Sequence, residues 1–87
     1  MEDIVVYYAP WCGDCRVAKR IFEQYDLQYK LVNVDNDMDA QQRVQEINNG
    51  YRSIPTILFP SGRVVVEPTG PELILALRDE GLIPVPG

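Results

Sequence analysis

The sequence contains no histidine. That absence removes imidazole acid–base catalysis, Ser–His and Cys–His nucleophile pairs, and every histidine-containing metal site. Only two cysteines occur, too few for a disulfide-stapled secreted scaffold. No stretch approaches the roughly 20 apolar residues that a bilayer crossing needs. Met1 is followed by Glu2 and Asp3 instead of a basic and then apolar leader, so a cytoplasmic location is expected. Basic residues are the minority, eight against thirteen acidic, for a net charge of −5. Such a chain has no general attraction for nucleic acid or anionic lipid, and neither is expected as a partner. Internal repeats, linkers and low-complexity segments are missing too. At 87 residues only ~60–65% of the unfolded surface can be buried, which excludes a second core. A single domain over 1–87 is expected, with 82–87 as a short frayed tail.

What is present follows a clear order. Ile4-Val5-Val6-Tyr7-Tyr8 is an unbroken β-branched and aromatic run that suits a central strand covered on both faces. Pro10 ends it. Val17, Ala18, Ile21, Phe22 and Tyr25 then recur on one face of a helical period. Tyr29 to Val34 reads as a second strand, nearer an edge because polar residues interrupt it. Asn36-Asp37-Met38-Asp39 starts a second helix, with Ala40, Val44 and Ile47 on its apolar face and Gly50 as its C′ stop. Thr56 to Phe59 and Val64 to Val66 form a hairpin around Ser61-Gly62. Thr69-Gly70-Pro71-Glu72 has capping-box spacing before a last helix striped by Leu73, Ile74 and Leu77, and Gly81, Pro84 and Pro86 close that helix. The order β-α-β-α-β-β-α predicts an α/β fold: a four-stranded mixed sheet with helices on both faces. Tyr7, Tyr8, Tyr25 and Tyr29 are assigned to core or sheet faces rather than to chemistry.

Cys12 and Cys15 fall at a strand–helix junction. A cysteine at the helix start meets unpaired N–H groups and the positive end of the dipole, which favour a thiolate. The second cysteine is one turn further in, within disulfide reach and more covered. An exposed first thiolate would attack a disulfide, and the second thiol would resolve the mixed disulfide. Other readings exist. A structural disulfide would close a tiny loop and restrict the unfolded chain little. A zinc ion needs four ligands, more than this chain's cysteines provide, so a metal would have to bridge two chains. No resident metal is assigned.

Ala9-Pro10-Trp11-Cys12-Gly13-Asp14-Cys15, Ser53-Ile54-Pro55-Thr56 and the element order resemble the glutaredoxin and thioredoxin superfamily over nearly the whole chain. The Trp-Cys-Gly-x-Cys portion looks like thioredoxin, and the short chain opening on the motif-bearing strand looks like glutaredoxin. Gly50-Tyr51-Arg52-Ser53-Ile54-Pro55-Thr56 is most similar to bacterial mycoredoxin-like and NrdH-like glutaredoxins. The resemblance implies a cis Pro55 opposite the cysteines and an Ile54 backbone that binds substrate like an added strand. Read without the cysteines, Pro55 is better taken as a trans proline opening an edge strand; their presence reverses that preference. Trp11 would pack on the substrate or serve as an edge aromatic. Arg52 would pair with a carboxylate of a small thiol or stand solvated in its loop.

Three departures from the family bear on substrate and mechanism. Glutathione-using glutaredoxins carry a Gly-Gly-x-Asp segment before the last helix, whereas this chain has Pro68-Thr69-Gly70-Pro71. Pro71 lacks an N–H and the carboxylate is missing, which weakens glutathione binding. Thr69 and Gly70 remain a candidate anion subsite at a helix start. Asp14 opposes charge on Cys12, while Arg16 and Lys19 favour it. Six residues before Cys12 stands Val6, so the buried acid of thioredoxins is missing.

The expected function is thiol–disulfide oxidoreduction in a monomer. Cys12 would be the nucleophile and Cys15 the resolving thiol, with Trp11, Arg52, Ile54, Pro55, Thr69 and Gly70 binding substrate. No bound cofactor is expected, since an external thiol or a flavin reductase would supply electrons. Disulfide-containing proteins or low-molecular-weight thiols are the expected partners, with thioredoxin reductase or ribonucleotide reductase as further ones. The alternative is a dimeric module holding an iron–sulfur cluster without turnover.

Overall fold

In the computed structural model, which describes residues 3–84, the first apolar run becomes strand β1, Ile4–Tyr8. Helix α1 (Gly13–Gln24) follows, then β2 (Tyr29–Asn33), α2 (Met38–Ile47), β3 (Thr56–Leu58), β4 (Val64–Val66) and α3 (Gly70–Asp79). The sheet order is β2-β1-β3-β4. β1 runs parallel to β2, with Val6 beside Leu31, and antiparallel to β3, with Val6 beside Ile57. β2 is therefore an edge strand, as its interrupted apolar pattern predicts.

Alternation along β1 divides the interior in two. Ile4 and Val6 face Ala18, Ile21 and Phe22 of α1 and Leu73, Ala76 and Leu77 of α3. Tyr7 and Ala9 belong to the other group, with Ala40 and Val44 of α2, Ile54 and both cysteines. A strand buried on both sides has no polar positions to spare, which accounts for its unbroken run. Tyr8, Tyr25 and Tyr29 pack at the margins of the first group.

All three helices begin on a side-chain cap. The Asp37 carboxylate accepts the Ala40 N–H at 3.0 Å. Thr69 and Glu72 complete the reciprocal box: the Thr69 hydroxyl accepts the Glu72 N–H, and the Glu72 carboxylate accepts the Thr69 N–H at 2.8 Å. That bond holds the Glu72 carboxyl below its ordinary range.

The ends differ in detail from expectation. Gly50 lies one residue beyond the C′ position of α2. Asn49 takes the left-handed C′ conformation, and the Gly50 N–H returns to the Gln45 carbonyl at 2.6 Å. Asn tolerates that conformation because its short side chain bonds locally, so the chain turns one residue early. Val17 is 41% exposed rather than buried, since it sits at the rim where Gly70 approaches α1. The segment after α3 is not simply frayed either. Leu82 returns its N–H to Leu77, and Ile83 enters the first core group. Pro86 lies outside the described residues, among which no helix is long and apolar enough to cross a membrane.

Candidate active site

Strand β1 delivers the chain to a tight turn at Ala9-Pro10-Trp11, closed by the Cys12 N–H donating to the Ala9 carbonyl at 3.1 Å. Cys12 is the N-cap of α1, with extended backbone angles, and its Sγ accepts the Cys15 N–H at 3.2 Å. A Ser, Thr, Asp or Asn oxygen usually occupies this place. Here a sulfur does, so the free N–H groups and positive dipole end of a twelve-residue helix gather around it. Both thiols are free.

Across from this sulfur stands the segment before β3. The Cys12 thiol lies 3.9 Å from the Ile54 carbonyl, and the Ile54–Pro55 peptide is cis. A buried polar side chain holds this segment in place. The Thr56 hydroxyl, with no exposure, donates to the Ser53 carbonyl at 2.6 Å and accepts from the Asn48 amide at 3.0 Å. Asn48 is the C-cap of α2, so the end of that helix is tied to the wall of the site.

Between the two walls runs an open groove of about 400 Å³, lined by Trp11, Cys12, Gly13, Asp14, Arg52, Ile54 and Glu67. Four of the sequence-predicted positions, Trp11, Cys12, Arg52 and Ile54, thus meet in one place, with Pro55 buried behind them. Trp11 is 71% exposed, and its indole N–H donates to the Asp35 carboxylate at 2.9 Å, which steadies the ring. Cys12 is not the open thiol expected, being only 8% exposed. Capping the helix draws its sulfur inward, beneath Ile54.

Other expected residues lie outside this lining. Thr69 and Gly70 do not reach the groove. The Thr69 N–H is already given to Glu72, and a side-chain atom on Gly70 would meet Ile21 of α1 at 3.6 Å, while Thr69 itself is exposed. Arg16 and Lys19 also lie elsewhere. The Arg16 guanidinium donates to the Pro10 carbonyl at 3.3 Å. Both residues line a separate crevice of about 200 Å³ with Tyr8, Pro10, Leu31 and Cys15. The charged neighbours of Cys12 in its groove are instead Asp14, Arg52 and Glu67.

Cys15 is 5% exposed, and its thiol is pushed up to about 12, first by burial and then by its hydrogen bond with Cys12; Asp14 adds in the same direction. At neutral pH this thiol keeps its proton. Val6 is buried against α1 and α3, so that strand position supplies no acceptor. The linkage has a definite sign. Unfolded chains release a cysteine proton near 9, whereas the folded chain holds it to about 12, so stability falls as pH rises through that window. Tyr29, also raised by burial, acts in the same sense. Urea midpoints of the reduced protein at about pH 8 and about pH 11 should therefore drop less for Cys15→Ser than for the parent. Equal drops would show that Cys15 is not held protonated.

Asp35, Asn48, Thr56 and Glu67 escaped the sequence reading. Asp35 and Glu67 act through partners well away along the chain, Trp11 and Pro55, while Asn48 and Thr56 act by joining the end of α2 to the segment before β3, which no spacing marks. Among the described residues no group of three or more Cys, Asp or Glu is arranged to hold a metal ion.

Comparison with known proteins places this arrangement. The glutaredoxin family pattern matches residues 4–65. Mycoredoxin 1 of Corynebacterium glutamicum is 30% identical over 78 residues, covering 90% of this chain and 96% of that protein. Thioredoxin 1 of a Nostoc species is 40% identical over 63 residues, but they cover 68% of this chain and 56% of that protein. Among solved structures, the thioredoxin-like protein BC3987 superposes with a TM-score of 0.68 at 28% identity, covering 87% of this chain and 96% of that one. Buckwheat glutaredoxin, solved with glutathione, shares the fold with a TM-score of 0.67 at 23% identity, over 92% and 72% of the two chains. The family match spans both walls of the groove and the helix that carries its sulfur: this chain belongs to the glutaredoxin family of thiol–disulfide oxidoreductases.

Proposed function

We propose that the protein reduces disulfides by a two-cysteine exchange in which Cys12 attacks and Cys15 resolves. One observation carries this reading: the Cys12 sulfur caps α1 on the floor of the groove, while Cys15 sits one turn behind it, covered and protonated. The Cys12 thiolate attacks a disulfide R–S–S–R′, forming Cys12–S–S–R and releasing R′S⁻, which takes a proton from solvent. Cys15 then gives its proton to solvent and attacks Cys12 Sγ, releasing RS⁻ and closing the Cys12–Cys15 disulfide. The substrate gains two electrons and the protein loses two.

The remaining groove residues bind and orient. The Ile54 backbone, fixed by Thr56 and Asn48, would dock an extended substrate segment as an added strand. Trp11 offers a flat apolar wall already tethered by Asp35, and Arg52 would contact the substrate from the Ile54 side. Pro55 supports Ile54 from behind. Because the resolving thiol is held protonated, resolution should be slower than attack. The crevice beside Cys15 is a route by which its proton reaches solvent.

No resident cofactor is needed. Electrons would return from a small external thiol or a flavin reductase, and the substrates would be protein disulfides or mixed disulfides with low-molecular-weight thiols. With the Thr69 N–H committed to Glu72 and Pro71 lacking an N–H, the start of α3 offers the glutamyl end of glutathione fewer donors. The test is to oxidise the protein and supply glutathione, another small thiol, or thioredoxin reductase with NADPH. Return of both thiols with one of these, and continuous turnover of hydroxyethyl disulfide, is the expected result. A stable brown dimer with no turnover would replace this reading with cluster binding.

A further inference from the structure

Glu67 lies in the groove under backbone strain. Its φ of 46° falls in the left-handed region, which a long side chain adopts reluctantly. Among the described residues the other two non-glycine residues with positive φ are Asp26 and Asn49, short polar residues just past helix ends, where that conformation is customary. Glu67 ends no helix. It leaves β4, and its N–H donates to the Pro55 carbonyl at 2.9 Å, which ties the strained residue to the Ile54–Pro55 wall. Strain of this kind persists where the surroundings enforce it, and clefts with a task are a common place.

The groove's charge follows from three side chains: Asp14 and Glu67 against Arg52. Among the described residues the ion pairs belong to Arg63, with Asp79 and Glu80. Arg52 therefore forms no direct pair with Glu67. The lining is two carboxylates to one guanidinium, on a chain of net charge −5.

We infer that Glu67, together with Asp14, makes this groove select disulfides flanked by cationic or neutral groups and disfavour anionic ones. This rests on disulfide reduction at Cys12 and leaves its electron balance unchanged. To place a sulfur against Cys12 Sγ, a disulfide must lay its substituents along the walls that carry these carboxylates. Anionic substituents are repelled and cationic ones drawn in. All three charged residues are solvent-exposed, so the selectivity is graded and weakens as salt rises.

The experiment compares three small disulfides at low ionic strength: cystamine (cationic), hydroxyethyl disulfide (neutral) and dithiodipropionate (anionic). The reading is the ratio of kcat/KM for cystamine over dithiodipropionate. Glu67→Gln should lower it about fivefold and Glu67→Lys roughly twenty-fold, by unit-charge interactions across a solvated groove. Glu67→Gly removes the same charge while relieving the backbone, and should match Glu67→Gln. Glu46→Gln, an exposed position on α2 outside the groove lining, changes net charge equally and should move the ratio less than about twofold. A ratio no lower in Glu67→Gln than in Glu46→Gln would overturn the inference while leaving disulfide reduction standing. Failure of the parent protein to reduce even hydroxyethyl disulfide would instead overturn the reading on which it rests.

Discussion

Cys12→Ser should abolish turnover of hydroxyethyl disulfide, a loss of roughly a thousandfold or more, because a serine hydroxyl neither ionises nor exchanges with disulfides at neutral pH. The substitution should leave the fold intact. Serine is a preferred N-cap, so its oxygen can accept the Cys15 N–H that the sulfur accepts now. Loss of activity in a protein of unchanged melting temperature would thus report on chemistry alone. Cys15→Ser should behave differently. The first exchange still proceeds, but nothing inside the protein attacks the mixed disulfide. It should accumulate as a mass adduct on Cys12, or turn over slowly when an external thiol resolves it. Intact-mass spectrometry after one equivalent of disulfide distinguishes the two variants: an adduct on Cys15→Ser and none on Cys12→Ser. Equal loss of activity with no adduct on either would contradict the assigned order of the two sulfurs.

The placement of the two sulfurs could be read from the sequence because it depends on local spacing. A cysteine three residues before another, at the point where an apolar run gives way to a helical period, is defined within a dozen residues. So are the Asp37 cap and the Thr69–Glu72 box, both present as expected. Features set by long-range contact stayed hidden. Trp11 meets Asp35 across 24 positions, and nothing near either residue signals the other. Glu67 looks like an ordinary polar residue after a strand until the Pro55 carbonyl is seen to hold it in the left-handed region. Thr69 and Gly70 show the converse. A helix start is locally a good anion site, but tertiary packing turned Gly70 toward Ile21, and the box itself consumed the Thr69 N–H. The charges beside the cysteines show the same limit. Helical spacing puts Arg16 and Lys19 near the pair, yet only the folded chain shows that they accompany Cys15 and that Asp14, Arg52 and Glu67 accompany Cys12.

The site also depends on the core beneath α1, and Phe22→Ala should show how strongly. Phe22 has no exposed surface and packs among Ile4, Val6, Leu73 and Leu77, with its ring centroid 5.1 Å from that of Tyr29. It therefore joins α1 to β1, β2 and α3 at once. Deleting a buried phenyl ring costs about 3–5 kcal/mol, part lost transfer energy and part unfilled cavity. Small domains hold only roughly 5–15 kcal/mol in total, so a large fraction of the stability should go. The melting temperature should fall by on the order of 20 °C, followed by far-ultraviolet circular dichroism. Phe22→Leu, which keeps most of the volume, should cost much less. Because Cys12 and Cys15 lie at the other end of the same helix, Phe22→Ala should retain disulfide reduction well below its lowered melting temperature and lose it in step with the helix signal. A fall of only a few degrees would mean that α1 is held mainly by its N-terminal turn, and that the sulfur cap contributes more to the fold than the core packing implies.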